Sequence, residues 1–131
     1  MLGIANIFRI CGVLHIFITL GLSVSIFAGI WLPDGATIDH IGTGKVLVGL
    51  ILSHGIGVGV LLILSSFITD VPSAKKILLG EIVLSICLLL AFIYNSFVLD
   101  SWYNGPPIVI WVVTAVLILL SIYGRLRVNR M

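Results

Sequence analysis

The residues whose types suggest chemistry are few, and three of them lie within long apolar stretches of the chain. His15, His54 and Glu81 are ionisable groups that apolar surroundings hold only at a cost. Groups of this kind usually bind a ligand, carry protons or pair with one another. Arg9 lies at the edge of the first stretch, where its long side chain can reach polar surroundings. We therefore expect any chemistry to depend on a handful of side chains.

Glu81 and His15 form the first candidate site. Glu81 lies roughly four residues inside its apolar stretch and His15 roughly five inside its own, which puts them at similar depth at about 1.5 Å per residue. We predict a hydrogen-bonded or ion-paired contact with Arg9 close above it, forming a polar cluster among apolar residues that can hold a proton. The alternative is that Glu81 is shallow enough to reach water and to pair with Lys75 or Lys76.

His54 is the basis of a second candidate site. A buried neutral imidazole needs a hydrogen-bond partner, and Asn95 and Thr114 are the polar residues predicted to complete a pocket with it. The alternative is a purely structural role, in which Ser53, Thr114 or a backbone carbonyl satisfies the ring.

A haem held between His15 and His54 is not predicted. His15 lies about 9 Å from the middle of its stretch toward one side, and His54 about 4 Å from the middle of its stretch toward the other, at helical rise. Two ligands of one iron need nearly the same level. No third ligand at matching depth suggests a metal site, and no residue pattern identifies catalytic residues, so both cofactor and catalytic residues remain unknown.

Four long apolar stretches make up most of the 131 residues and must position these side chains. The chain is 60% hydrophobic and 9% charged, so it has too few polar residues to cover the surface of a soluble domain. A bilayer core of roughly 30 Å needs about 20 apolar residues. We predict an all-α, integral membrane four-helix bundle: one domain, 1–131, with spans at about 5–32, 45–69, 75–99 and 107–125.

Charge placement predicts the orientation of this multi-pass protein. Short connections favour an up-down-up-down bundle, which returns the C-terminus to the side of the N-terminus. Six basic residues then share that side and one, Lys45, lies opposite; the six are Arg9, Lys75, Lys76, Arg125, Arg127 and Arg130. Basic residues concentrate in short cytoplasmic segments, so both termini are predicted to be cytoplasmic.

Small residues at intervals of four predict where two helices pack closely. In lipid, helices associate through smooth faces that let their backbones approach. We predict contact between the first two spans and expect Gly57→Leu to disrupt it; the predicted packing residues are Gly21, Ser25 and Gly29 with Gly49, Ser53 and Gly57. Gly55 and Gly59 form an adjacent G-x-x-x-G, and a homodimer face on the second span is the alternative.

The layout is similar to that of small four-helix membrane families such as DoxX-like proteins. Residues 54–70 and 75–98 resemble the anchor subunits of succinate dehydrogenase in having a histidine, a glycine-rich helix and a loop aspartate. Those anchors normally have three spans. Small multidrug transporters also have four short spans, but their essential glutamate is on the first, where this chain has His15. The chain departs from the last two patterns and shares only its layout with the first, so we assign it to none of these families.

Three classes of function stay open. The first is a non-catalytic bundle, either an accessory subunit of a larger membrane complex or a small oligomer that binds a lipid or lipophilic ligand. The second is a proton-coupled transporter or channel using Glu81 and His15, and the third is a membrane-embedded enzyme acting on a lipid, quinone or isoprenoid. The expected partners are the lipid bilayer and a homo-oligomer or larger complex. Nucleic acid is not expected, because the chain has no long Lys/Arg run.

The predicted orientation can be tested by labelling. In a chain without Cys11 and Cys87, a thiol introduced by Ala36→Cys and one introduced by Ser73→Cys should react from opposite faces of intact cells, because the two positions follow successive spans. Labelling with a membrane-impermeant reagent should modify the first from outside and the second only after permeabilisation. Labelling of the Ala36→Cys chain from the cytoplasm would contradict the orientation.

Overall fold

Four α-helices and no strand make up the part of the chain that the computed structural model describes, which is residues 2–27, 35–97 and 108–131, with the side chains of 25, 26 and 95 excluded. The helices are α1 (Ile4–Phe27), α2 (Ile38–Ser65), α3 (Val71–Phe97) and α4 (Ile108–Arg127). Each is long and apolar enough to cross a membrane. The prediction of an all-helical chain with four apolar helices is confirmed.

The start of α2 is set by a helix cap. The helix begins at Ile38, seven residues before the predicted span start at 45. Thr37 has extended backbone, and its side chain accepts a hydrogen bond from the backbone N–H of His40 at 3.3 Å. A capping side chain satisfies one of the free N–H groups of the first turn, so the helix can start among polar residues. The apolar stretch alone did not show this extension.

The start of α3 is set by Asp70. Its carboxylate accepts a hydrogen bond from the backbone N–H of Ser73 at 2.8 Å. Hydrogen bonds from the side chain and backbone of Ser73 hold the pKa of Asp70 below its usual range. The helix therefore begins at Val71 rather than at the predicted span start of 75.

Helix α1 is the centre of the packing. It lies against α2 and α4, and α3 lies against α4, whereas the remaining helix pairs approach each other at few positions. Of the four helices α1 is the most buried and α2 the least. Phe8 on α1, Leu78 on α3 and Leu117 on α4 are fully buried members of one apolar core. The structure therefore has closely packed neighbours around α1 and a looser boundary between α2 and α3.

The close contact between α1 and α2 is made by three glycines. A Cβ built on Gly59 would lie 2.7 Å from the backbone oxygen of Gly12, and one built on Gly12 would collide with Gly59 and Ile63. A Cβ on Gly55 would collide with the side chain of Thr19. Any larger side chain at these positions would force the backbones apart.

The predicted packing stripe is wrong for this contact. Among the described residues, a Cβ built at Gly21, Gly49 or Gly57 meets no atom within 4 Å. Ser53 is exposed and bonds the carbonyl of Leu50 in its own helix. Gly57 is two positions from both Gly55 and Gly59, which is about 200° around a helix of 3.6 residues per turn. The predicted stripe that contains Gly57 and the pair Gly55 and Gly59 therefore lie on opposite faces of α2. The face with Gly55 and Gly59 is the one that packs against α1. Gly29 and the side chain of Ser25 lie outside the described part of the chain.

Polar contacts tie the helix ends together at one end of the bundle. Arg125 donates to the backbone oxygen of Lys75 at 2.8 Å, and Lys75 donates to Asn129 at 2.6 Å. The backbone N–H of Ile4 donates to the carbonyl of Arg130 at 3.0 Å. The beginnings of α1 and α3 and the end of α4 therefore meet.

The glycine contact leads to a matched pair of variants. Gly59→Leu should lower the free energy of unfolding by about 1–3 kcal/mol, the usual range for overpacking a close contact. Gly57→Leu, with the same change two residues away, should leave the α1–α2 contact intact because its Cβ meets open space. Thermal unfolding in mild detergent, with the oligomeric state measured in parallel, tests both. Equal unfolding temperatures for the two variants would show that the Gly59 contact does not hold the helices together.

Candidate functional site

The structure brings His15 and Glu81 together. Nε2 of His15 and Oε1 of Glu81 are 2.8 Å apart, and the side chains are 8% and 1% exposed. Helices α1 and α3 otherwise approach at few positions, so this bond spans the gap between them. Neither Lys75 nor Lys76 is paired with Glu81 in the described part of the chain, where the partners of its carboxylate are His15 and Ser85.

Ser85 extends the pair along α3. Its hydroxyl donates to the same Glu81 oxygen at 3.0 Å, one helical turn further on. On α1, Thr19 donates to the backbone oxygen of His15 at 2.7 Å, and Ser23 donates to that of Thr19 at 2.8 Å. Within the described residues, every fully inaccessible side-chain polar atom has a partner. The polar residues thus form satisfied chains within an apolar bundle, which low-dielectric surroundings require.

Arg9 is not part of this cluster, contrary to the prediction. Its Nε donates to Ser66 at 3.2 Å, and its Nη1 lies 3.5 Å from Asn6. Arg9 precedes His15 by six residues, which places the two side chains about 120° apart around α1. The arginine therefore ties α1 to the end of α2 at the surface, while His15 faces α3.

The second predicted pocket does not form as proposed. Thr114 is fully buried on α4 and donates to the carbonyl of Ile110 in its own helix at 2.8 Å. His54 is exposed on α2, a helix that meets α4 at few positions, and its Nδ1 lies 3.1 Å from the carbonyl of Leu50. The side chain of Asn95 lies outside the described part of the chain. Each of the two described residues has a hydrogen-bond partner within its own helix, and they do not bond each other.

His54 instead borders a cleft that it shares with His15. The cleft has a volume of about 320 Å³ and lies between α1, α2 and α3, where α2 and α3 fail to pack closely. Its lining is mostly apolar and includes Leu50, Leu84 and Leu88. One histidine stands on α1 and the other on α2, both at the edge of the same apolar space.

The level of the two histidines follows from the helix register. Thr19 contacts Gly55, so His54 lies about five residues, or roughly 7 Å, along the axis from His15. In addition, Nε2 of His15 is bonded to Glu81. The absence of a haem between these histidines stays a prediction, with both observations in its favour. The described residues contain no group of three or more His, Cys, Asp or Glu side chains placed to hold a metal ion.

Sequence reasoning missed Ser85 and the apolar lining of the cleft. Ser85 follows Glu81 by four residues, a spacing that puts both on one helix face and could have identified it. The cleft has no comparable signal, since leucines such as Leu50 and Leu84 resemble the many other exposed apolar residues of these helices.

No protein family model matches this chain, and neither a curated protein nor a solved structure shows significant similarity to it.

A double-mutant cycle tests the pair. Replacing either His15 or Glu81 by alanine should destabilise the protein by about 3–5 kcal/mol, because the remaining partner is left buried and unpaired. The double variant should lose less than the sum, with a coupling energy of about 0.5–3 kcal/mol. Unfolding in detergent measures all three variants.

Arg9→Gln combined with Glu81→Ala is the matched control. These residues share no hydrogen bond in the described structure, so their effects should add within about 0.5 kcal/mol. Strong coupling of Glu81 to Arg9, and none to His15, would contradict the described site.

Proposed function

We propose that the four helices span a bilayer in an up-down-up-down arrangement with both termini cytoplasmic. Many large apolar side chains, among them Phe17, Leu47 and Leu119, are more than half exposed. Water would make such a surface an aggregation risk, whereas lipid solvates it. The contacts that join Lys75 to Arg125 and Ile4 to Arg130 support the gathering of basic residues at one end, as cytoplasmic segments require.

Within this membrane protein, we propose that the cleft binds a lipophilic small molecule. The observation that carries the proposal is an apolar cleft of about 320 Å³ bordered by two imidazoles on adjacent helices. Ligand sites are typically apolar concavities of about 300–1,000 Å³ with a few polar groups that fix orientation. The chain would then act as a non-catalytic binding bundle, alone, as an oligomer or as an accessory subunit of a larger membrane complex.

Access to the cleft would come from the bilayer. Leu50, Ile51 and Leu84 border it and are themselves 42–56% exposed, so the cleft is open to the surroundings of the helices. A molecule dissolved in lipid would reach the site by sideways diffusion between α2 and α3, without passing through water. The loose contact between these helices supports this route.

Proton-coupled transport is the second candidate function. The observation in its favour is the buried bond between His15 and Glu81, since a carboxylic acid and an imidazole exchange protons readily. This candidate requires proton flux in vesicles that Glu81→Gln abolishes. A membrane enzyme acting on a lipid, quinone or isoprenoid is a further alternative, and it requires product formation that depends on Glu81 or His54.

The binding proposal predicts a co-purifying molecule. Native mass spectrometry and an absorption spectrum after mild-detergent purification should show a bound lipophilic compound. Leu84→Trp should remove it, because the larger ring fills part of the cleft. Leu119→Trp is the matched control: it makes the same change at an exposed position on α4 that does not line the cleft.

Equal ligand content in the two tryptophan variants would contradict binding in the cleft. The purification also reports the oligomeric state and any protein partner, which separates a free-standing bundle from an accessory subunit.

A further inference from the structure

The starting observation is the second ring nitrogen of His15. Nε2 is engaged by Glu81, and no hydrogen bond involves Nδ1 within the described residues. Every fully inaccessible side-chain polar atom in that part of the chain has a partner, so Nδ1 must have some accessible surface. The side chain borders the cleft. A ring that is more than nine-tenths buried therefore keeps one nitrogen with accessible surface, in a residue that lines the cleft.

The number and positions of the protons shared by His15 and Glu81 decide whether Nδ1 of His15 is a hydrogen-bond donor or an acceptor. A net charge in the interior of a membrane protein costs several kcal/mol, so the pair is most stable when it is neutral overall. It is neutral either as imidazolium with carboxylate or as imidazole with carboxylic acid. In both forms one proton lies between Nε2 and Oε1, and the other is on Nδ1. Nδ1–H is thus a donor wherever the shared proton resides.

One other neutral arrangement exists, with the acid proton on Oε2 of Glu81 and Nε2–H donating to Oε1. Oε2 has no hydrogen-bond partner among the described residues, whereas Oε1 is bonded by both His15 and Ser85. An O–H group on Oε2 would have no acceptor among the described residues, whereas a proton between Oε1 and Nε2 is hydrogen-bonded. The geometry therefore favours Nδ1–H.

His54 supplies the complementary group. A backbone carbonyl can only accept, so Nδ1 of His54 donates to Leu50 and a neutral ring leaves Nε2 as an acceptor. The cleft is thus bordered by one donor ring on α1 and one acceptor ring on α2, about 7 Å apart along the axis by the register of Thr19 and Gly55.

From this juxtaposition we infer that the ligand is a neutral lipophilic molecule with a carbonyl or hydroxyl oxygen, and that Nδ1–H of His15 donates to that oxygen. The inference rests on the proposed function and names its ligand class. The apolar part of the molecule lies against Leu50, Leu84 and Leu88. Glu81 is the positioning residue, because it holds the proton that makes Nδ1 a donor. An alcohol would gain further by donating to His54.

Imidazole nitrogen NMR tests this directly. The chain has three histidines, so ring-labelled protein in lipid nanodiscs gives three pairs of nitrogen resonances, assigned by replacing His40 and His54 in turn. The probes are 2-undecanone and 2-methyl-1-undecene, which differ only by C=O in place of C=CH₂. The ketone should shift the protonated Nδ1 of His15, the alkene should not, and the ketone should bind about 3-fold to 10-fold more tightly.

Variants distinguish loss of the polar contact from loss of the fold. His15→Phe keeps a ring in place but leaves Glu81 buried without its partner. The double variant His15→Phe, Glu81→Leu removes the pair altogether and should fold, since apolar replacement of a buried pair is often neutral. It should bind the two probes equally.

The outcomes distinguish the inference from the proposed function. Equal binding of ketone and alkene to the native chain, with displacement of both by Leu84→Trp, would retain the cleft and overturn the polar contact. An unprotonated Nδ1 of His15 would overturn it as well. Binding of neither probe, or binding unaffected by Leu84→Trp, would overturn the binding proposal itself and the inference with it.

Discussion

The hydrogen bond between His15 and Glu81 is the interaction on which the rest of the arrangement depends. Helix α1 is packed on α2 through glycines and on α4 through the apolar core, but it meets α3 at few positions. A buried carboxylate and a buried imidazole must be paired or be neutralised, so each side chain holds the other in place. This pairing joins α3 to α1, and the packing of α3 on α4 holds it in place, while space is left between α3 and α2. The cleft is the consequence.

Polar groups in the bundle are satisfied by short local bonds. Thr19, Ser23 and Thr114 all donate to a carbonyl one turn earlier in their own helix, and Ser85 donates to Glu81 one turn earlier. Such bonds place no constraint on how the helices pack, because the donor and acceptor are already adjacent on the surface of one helix. The pair formed by His15 and Glu81 differs because it joins two helices. A ligand oxygen on Nδ1 would extend this chain of bonds by one further step.

The helix number and the depth of the ionisable residues could be predicted from the sequence. Stretches of about 20 apolar residues have few stable structures other than long helices. The rise of about 1.5 Å per residue then gives the depth of each side chain along its helix from its position in the sequence. Similar depth made contact between His15 and Glu81 feasible. The depth of a residue does not tell which face of its helix it occupies. Depth alone therefore predicts Arg9 in the cluster, although its side chain lies about 120° around α1 from that of His15. Asp70 and Thr37 also show that caps, not apolar boundaries, set where helices begin.

The sequence by itself determined that this chain forms four long apolar helices, and that its apolar stretches hold one carboxylate, Glu81, and two histidines, His15 and His54. Only the tertiary structure decided which helix faces meet: Gly55 and Gly59 rather than Gly49 and Gly57, and His54 beside the cleft of His15 rather than near Thr114. The physical reason is that these helices are apolar on every side. An amphipathic helix marks its inner face by an apolar stripe, whereas here the inward and outward faces carry similar residues, so the pattern does not show which face packs.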